Sequence, residues 1–539
     1  MNFAPIDYIV FIAYGILIMF VGLWVSREKG GKEKDSKDYF LASKSLPWWA
    51  IGASLIASNI SAEQFIGMSG SGFRVGLAIA TYEWMAAITL LVVAWFFLPI
   101  FIQKGIFTMP QFLENRYDNR VRTLLAVFWL GVFIFVNLTS VLYLGALAME
   151  NIMGVDIFYA MAGLALFAII YSIYGGLKAV AWTDVVQVVF LIFGGLITTY
   201  VALDAYGDGS AFSGFSKLLN NVGDRFNMIL FENELMYTDD AGVQQDGYDL
   251  LPGLSVLIGG MWIANLYYWG CNQYIIQRAL AAKSIKEAQR GVAFAGYLKL
   301  LLPLIVVIPG IVAYAMSIEN PEAVSITKAD EAYPWLLSNF VGAGLKGLAF
   351  AALIAAIVSS LASMMNSTST IFTMDLYQPF INKNATENQL VNVGRIVAFV
   401  AMIIAGVVAY PLLGTSDQVF QDIQDYTGMV SPGVLAVFIM GLFWKKATPN
   451  AALVSAFLSV PLSLAINKFL PEIPFMNRMG IVFLISIILI VGISLWEGKG
   501  ANHEKGIDTK EVEREKDPIF TAAAFGIIII TTVLYTVFW

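Results

Sequence analysis

The most constraining feature of this chain is a polar break inside an apolar segment near residue 60. Residues 46–56, LPWWAIGASLI, read as the first half of a membrane span, and the stretch ASNISAEQ at 57–64 then falls at the expected bilayer midplane. Because lipid offers no hydrogen-bond partners, such a stretch is tolerated only where its backbone lines a cavity enclosed by protein. Broken spans of this kind hold ions and solutes in secondary transporters.

The rest of the chain is too apolar for a soluble protein. Hydrophobic residues make up 58% and charged residues 13%, and the apolar runs are long enough to cross a bilayer. We therefore expect an all-α polytopic membrane protein in one transmembrane domain over 1–539. The pattern predicts about fourteen spans, at 7–25, 47–70, 77–102, 122–150, 156–173, 183–206, 251–278, 290–317, 341–375, 391–412, 418–444, 449–467, 478–495 and 518–538.

Basic residues give the orientation. The loop set that includes 26–45, 103–122, 278–290 and 496–517 holds about 24 Lys and Arg, and the opposite set holds about 7. The first set is therefore predicted to be cytoplasmic, with both termini outside and 207–250 as the largest external loop. The first apolar run is long enough to span the bilayer, so no cleavable signal is expected.

A second span also carries polar residues at depth. Residues 251–278 include Asn265, Tyr267, Tyr268, Asn272 and Gln273. An inverted repeat would pair this span with the broken one at 47–70, and such repeats leave little sequence trace.

Ionisable residues inside spans are functional candidates. Lys299 lies about 13 Å from the end of its span at Arg290, and Glu83 lies about 9 Å inside its own. A buried ammonium needs a partner, and Glu83 is the nearest candidate by depth. The pair is either a structural ion pair or a contact for a polyhydroxylated solute, with Gln64, Asn137, Asn265 and Gln424 adding amides.

Small hydroxyl residues supply a candidate ion site. Ser359 and Ser360 follow a run of alanines, which is typical of tight helix packing, but hydroxyls and backbone carbonyls also suit an alkali cation. Asp184 is either a capping or loop-facing acid or part of this site.

The sequence also excludes several kinds of chemistry. Its single histidine excludes a His-based proton relay, and its single cysteine excludes an internal disulfide. The lack of a nucleotide-binding motif disfavours an ATP-driven pump. No enzymatic activity and no nucleic-acid partner are expected.

Three long motifs resemble the sodium/solute symporters. They are DYFLASKSLPWWAIGASLIASNISAEQFIG at 38–67, GGLKAVAWTDVVQ at 175–187 and WGCNQYIIQRALAAK at 269–283. The resemblance runs from about residue 7 to the end. It implies a five-plus-five inverted-repeat core of the LeuT type over 47–444, with extra spans at 7–25 and 449–538.

The resemblance also implies residue roles. Sugar contacts would come from Gln64, Tyr82, Glu83, Asn137, Asn265, Tyr268, Lys299 and Gln424. An outer lid would be formed by Met68, Tyr82 and Phe420, and Tyr268 would close the inner side. Sodium would be held by backbone oxygens of Ala57, Ile60 and Ala356 and by the hydroxyls of Ser359 and Ser360, with Asp184 on its exit path.

Two departures from the family bear on specificity. Galactose carriers of the family have a serine where this chain has Ala86, so the preferred sugar can differ, because a site that hydrogen-bonds a hydroxyl discriminates strongly. Members that carry two sodium ions have a hydroxyl residue where Ala362 stands, which favours one sodium per sugar. The sequence thus predicts a sodium-coupled monosaccharide symporter in the bilayer. The alternatives are a sodium symporter for inositol or sialate, and a sodium-dependent sensor or passive channel.

Overall fold

The computed structural model describes residues 3–26, 44–239, 242–414, 416 and 418–539. It is mostly helical, as predicted. The predicted loop at 26–45 and the first residues of the motif at 38–67 lie largely outside the described residues.

The helices have the following bounds. Those in the first part of the chain are α1 (Pro5–Ser26), α2 (Trp48–Asn59), α3 (Ser69–Val75), α4 (Thr81–Val92), α5 (Leu98–Gln103), α6 (Met109–Arg116), α7 (Asn119–Val132), α8 (Thr139–Met153), α9 (Ile157–Tyr206) and α10 (Ala211–Asn221). Those in the remainder are α11 (Gly247–Leu250), α12 (Gly253–Ser255), α13 (Met261–Leu266), α14 (Gln273–Leu280), α15 (Ile285–Glu319), α16 (Ala332–Phe340), α17 (Leu345–Ile371), α18 (Glu387–Leu413), α19 (Val419–Phe443), α20 (Pro449–Phe469), α21 (Phe475–Gly498) and α22 (Pro518–Val537).

Irregular helical turns connect many of these helices. Wider π-type turns occupy Glu63–Met68, Val93–Phe97, Phe133–Leu138, Val256–Gly260, Tyr267–Cys271 and Phe372–Ile381, and tighter 3₁₀ turns occupy Gly76–Ala80, Gly223–Phe226 and Ala329–Glu331. The loop at 207–250 carries a short antiparallel hairpin, β1 (Met236–Thr238) with β2 (Gln244–Asp246), in which Tyr237 pairs with Gln245. Because π turns are frequent at functional sites, the segments that contain them are candidates for the solute site.

Eleven helical stretches in the described part of the chain are long and apolar enough to cross a bilayer. The predicted count of fourteen is not confirmed. The three predicted spans without a qualifying helix of their own are 47–70, 156–173 and 251–278. The first and third are broken, and the second contributes a shorter apolar helix at Ile157–Ile170.

The break predicted near residue 60 is present. Helix α2 ends at Asn59, Ile60 is extended (φ −75°, ψ 116°), and helical structure resumes at Glu63. The second polar span breaks in the same way at Asn272 (φ −81°, ψ 123°). The two interruptions fall in the two spans that an inverted repeat would pair.

The predicted spans 156–173 and 183–206 form one helical stretch, α9. Helical structure continues through the predicted loop between them. Its 50 residues would extend about 75 Å if straight, far more than one crossing needs. Phe158 packs against Tyr410 near the end of α18, and Tyr206 donates to Glu319 at the end of α15. Trp182, which lies midway along the stretch, contacts Trp49 at the start of α2, on the other side of the bundle from these two ends. The stretch therefore passes through the bundle twice.

We call the face that carries the ends of α15 and α18 the upper face, and the face that carries the starts of α2 and α15 the lower face. The start of α19 also belongs to the upper face, where the Val419 amide donates to Asp330 (3.3 Å). On the lower face, the loop from 499 to 517 forms ion pairs with helix ends, including Lys445–Asp508 and Arg290–Asp517. The last helix, α22, packs on α4 and α15 through Tyr535 and Ala523.

Candidate solute and sodium sites

All predicted solute contacts and lid residues line a single cavity at the broken helices. The break after α2 contributes Gln64, the first turn of α4 contributes Tyr82 and Glu83, and the middle of α15 contributes Lys299. Asn137 comes from a π turn between α7 and α8, and Gln424 from α19. The remaining predicted residues in the lining are Met68, Asn265, Tyr268 and Phe420, and Ala86 lies among them.

Lys299 is the centre of a buried polar network. Its ammonium is 1% exposed and donates hydrogen bonds to Glu83 and Asn59. It also lies 5.1 Å from the centre of the Trp269 ring. The ion pair with Glu83, expected from depth alone, is therefore present, and Asn59 is a third member that sequence reasoning missed.

Several buried polar atoms of the cavity have no partner among the described residues. They are the Tyr82 hydroxyl, Asn137 Oδ1, Asn265 Nδ2 and Asn272 Oδ1. A buried polar atom without a hydrogen bond is destabilising by about 1–3 kcal/mol, so such a group is normally satisfied by water or ligand. Both donors and acceptors occur in this set, which matches a solute that carries several hydroxyl groups.

The lid residues close the upper side of the cavity. The Tyr82 and Phe420 rings meet edge to face, with centroids 5.5 Å apart, and Met68 is 1% exposed. Phe420 can pack this closely against the broken span because residue 67 is a glycine. A Cβ at position 67 would lie 2.6 Å from Cβ of Phe420. The upper lid is therefore closed in this conformation.

Tyr268 lies at the other side of the same cavity. Its hydroxyl accepts a hydrogen bond from Asn59 Nδ2 (2.8 Å) and also bonds the Tyr274 hydroxyl. Asn59 thus links this tyrosine directly to Lys299. Hydrogen bonds through Asn59 therefore connect Tyr268, the predicted inner gate, to the Lys299–Glu83 ion pair.

Two of the predicted sodium ligands, the Ile60 carbonyl and the Ser360 hydroxyl, meet where α2 breaks. The Ser360 hydroxyl donates to the carbonyl oxygens of Ser58 (3.1 Å) and Ile60 (3.3 Å), so these three oxygens converge. Ala57 and Ala356 are fully buried in α2 and α17, the two helices that carry this contact. Such oxygens are the ligands that hard cations prefer.

Asp184 lies beneath this point and is fully buried. Its carboxylate accepts hydrogen bonds from Ser359, Ser54 and Ser58, and Arg278 reaches Ser54 (3.2 Å). The loop-facing interpretation of Asp184 is therefore wrong. The serines at 54, 58 and 363 and Arg278 were not predicted, although the serines at 54 and 58 lie four residues apart, a spacing that places them on one helix face.

Other lining residues were missed although they belong to the motifs already singled out. Glu63 and Asn59 lie in the polar break, and Trp269 and Asn272 lie in the second broken span. Their position within the two breaks could have identified them in the sequence, because unwound helix segments direct the side chains of successive residues into the cavity.

The comparisons with known proteins identify the family of this chain. The family model described as "Sodium:solute symporter family" matches residues 39–458. The chain belongs to this family. It is 53% identical to the sodium/glucose cotransporter of Vibrio parahaemolyticus, over 99% of this chain and 98% of that protein. It is 35% identical to the mouse sodium/myo-inositol cotransporter 2, over 85% of this chain and 69% of that protein.

The fold is also that of a solved protein. A Na⁺-coupled sialic acid symporter, solved substrate-bound in an outward-open state, superposes with a TM-score of 0.79 at 23% identity, over 94% of this chain and 100% of that one. This likeness establishes the helical transporter architecture. Membership of the family makes the chain a multi-pass membrane transporter with sodium as the co-transported ion.

Proposed function

We propose that this symporter carries a neutral monosaccharide, one molecule with one sodium ion, by alternating access. The observation that carries the proposal is the cavity at the two broken helices. There, buried donors and acceptors that have no partner in the described part of the chain lie in the same lining as the Lys299–Glu83 pair. A neutral sugar presents hydroxyl groups on every side, so it can satisfy such a mixed set.

The charge of the cavity argues against an anionic solute. Its lining has two carboxylates, Glu63 and Glu83, and one ammonium, Lys299. Lys299 already bonds Glu83, so a carboxylate-bearing solute such as sialate would find no unpaired ammonium in the described lining. It would lie close to carboxyl groups, and like charges at close range are unfavourable in a low-dielectric environment.

Myo-inositol is the second candidate. It is a neutral polyol, so the cavity's donors and acceptors suit it as well, and a relative 35% identical to this chain is a sodium/myo-inositol cotransporter. The higher identity to a sodium/glucose cotransporter favours a hexose.

Sodium coupling is proposed to act through the α2 break. An ion held by the carbonyls near Ile60 and the hydroxyls of Ser359 and Ser360 would fix the geometry of residues 60–64, from which Gln64 reaches the solute. Ala362 offers no side-chain oxygen to a second ion. We further propose that the transporter lies in a bacterial inner membrane with the upper face and both termini outside, with its inverted-repeat core at 47–444.

The test is uptake by purified protein in proteoliposomes. Labelled galactose should accumulate with sodium and not with choline, and glucose, galactose or another hexose should compete better than myo-inositol or sialate. Stronger competition by inositol or sialate would overturn the hexose assignment. Counterflow of labelled sugar against an internal load separates a carrier from a channel.

A further inference from the structure

Glu63 is a carboxylate of the solute cavity for which the proposed function supplies no role. It is 7% exposed and lines the cavity beside Gln64. One carboxylate oxygen accepts a hydrogen bond from the Ser140 hydroxyl at 2.9 Å. Within the ranges that the structure describes, no ion pair is formed by Glu63.

The other buried charges nearby already have partners. Lys299 is bonded to Glu83, and the Asp184 carboxylate accepts a hydrogen bond from Ser54, which also contacts Arg278. Among the described lining residues, Glu63 is therefore the carboxyl group without a cationic partner. A buried carboxyl group in this situation either holds a proton or binds a group that brings a positive charge, because an unpaired buried carboxylate is strongly unfavourable.

The surroundings of Glu63 suit an ammonium group. An ammonium donates three hydrogen bonds, and Asn137 Oδ1 is a second acceptor in the same lining that has no partner among the described residues. Ser140 has a single proton to donate and lies 3.0 Å from the Asn137 carbonyl as well as 2.9 Å from Glu63. It can turn to that carbonyl and free the carboxylate oxygen for a ligand.

We propose that Glu63 forms a cation subsite and that this transporter accepts protonated amino sugars, in preference to the neutral parent hexose. The inference rests on the proposed function and names a further substrate class for the same cavity. The sugar ring would make the contacts proposed above, and the ammonium would occupy the space between Glu63 and Asn137.

The experiment compares a hexose that the competition panel shows to be carried with its 2-amino-2-deoxy derivative, in proteoliposomes with sodium in the external buffer. An amine of this kind loses its proton near the ~7.7–8.0 of an α-amino group, so uptake is measured at pH 6.5 and pH 9. The wild type should favour the amino sugar about tenfold at pH 6.5 and lose the preference at pH 9. Charge movement per sugar should be twice that of the neutral hexose at pH 6.5.

Glu63→Gln is the test variant and Glu150→Gln, which changes a carboxylate outside the cavity, is the matched control. Glu63→Gln should remove the preference at pH 6.5 while Glu150→Gln keeps it. If the wild type does not favour the amino sugar, the inference is wrong, and the proposal of hexose transport is unaffected. A preference that survives in Glu63→Gln overturns it too.

Two further outcomes separate the alternatives. If Glu63→Gln raises the sodium requirement equally for both solutes and leaves their ratio unchanged, the carboxylate serves sodium and the inference is rejected. If neither solute is carried by the wild type with sodium, the proposed function itself fails.

Discussion

At the scale of single residues, we expect solute recognition to depend on the ion pair between Lys299 and Glu83. Both are almost fully buried, so removing either one leaves an uncompensated charge, which is destabilising by about 3–5 kcal/mol. Lys299→Ala and Glu83→Ala should each abolish sugar binding and lower the melting temperature, while Glu83→Gln retains some binding.

The double variant Lys299→Met with Glu83→Leu distinguishes the two interpretations of this pair. It removes both charges, so thermal stability should recover, because an apolar pair often replaces a buried ion pair without loss. Sugar uptake should not recover. Full recovery of uptake would mean that the pair is structural and does not contact the solute.

Ser360 is the residue at which sodium binding can be separated from helix packing. Its hydroxyl contacts the carbonyls of Ser58 and Ile60, and Ser360→Ala removes one oxygen while keeping a small side chain. The sodium concentration for half-maximal uptake should rise, with little change in the thermal melt of the purified protein. An unchanged sodium requirement in a normally melting variant would assign the serine to packing.

Ala86 tests the specificity of the pocket. It lines the cavity and is 1% exposed, so a hydroxyl there would face the solute. Ala86→Ser should raise affinity for galactose relative to glucose by roughly two- to tenfold, since one hydrogen bond contributes about 0.5–1.5 kcal/mol. The measurement is inhibition of labelled-sugar uptake by each sugar. Identical inhibition constants in variant and wild type would mean that position 86 does not contact the sugar.

At the scale of helices, close packing between α3 and α15 holds the outer half of the broken span in place. A Cβ at Gly310 would lie 2.0 Å from the Ser69 carbonyl oxygen, which belongs to backbone and cannot simply rotate away. Small residues allow such approaches between membrane helices. The geometry of the lid residue Met68 therefore depends on a glycine in a different helix.

Gly310→Ala should lower thermal stability by about 1–3 kcal/mol, the usual range for overpacking. Gly131→Ala is the matched control, because no atom lies within 4 Å of the added Cβ, and helical glycine to alanine is neutral or stabilising. The comparison uses melts of both variants in the same detergent. Equal melting temperatures would mean that α3 and α15 can separate without loss.

At the scale of the whole molecule, coupling requires that sodium and solute cross together. One positive charge at about 100 mV supplies roughly 2.3 kcal/mol, and a tenfold sodium gradient supplies about 1.4 kcal/mol more. Proteoliposomes with an inside-negative potential should therefore accumulate sugar several hundredfold. Accumulation that is unaffected by collapsing the potential would contradict one net charge per cycle.

The sequence by itself determined the membrane class, the break near residue 60 and the depth of Lys299 and Glu83. These follow from local properties: the length of apolar runs, the rise of a helix and the unfavourable free energy of polar groups in lipid. The family resemblance also named ten residues of the cavity lining, among which Gln64 lies inside the first motif and Tyr268 directly precedes the third.

Only the tertiary structure decided which side chains meet. Asn59 links Lys299 to Tyr268, Ser140 bonds Glu63, and Asp184 is buried beneath Ser359, all across separations of more than seventy residues. No local pattern predicts such contacts, since they depend on how α2, α4, α8, α15 and α17 pack around the two breaks. The sequence could give the depth of each polar group in the bilayer, but its partner is set by the rotation and separation of the packed helices.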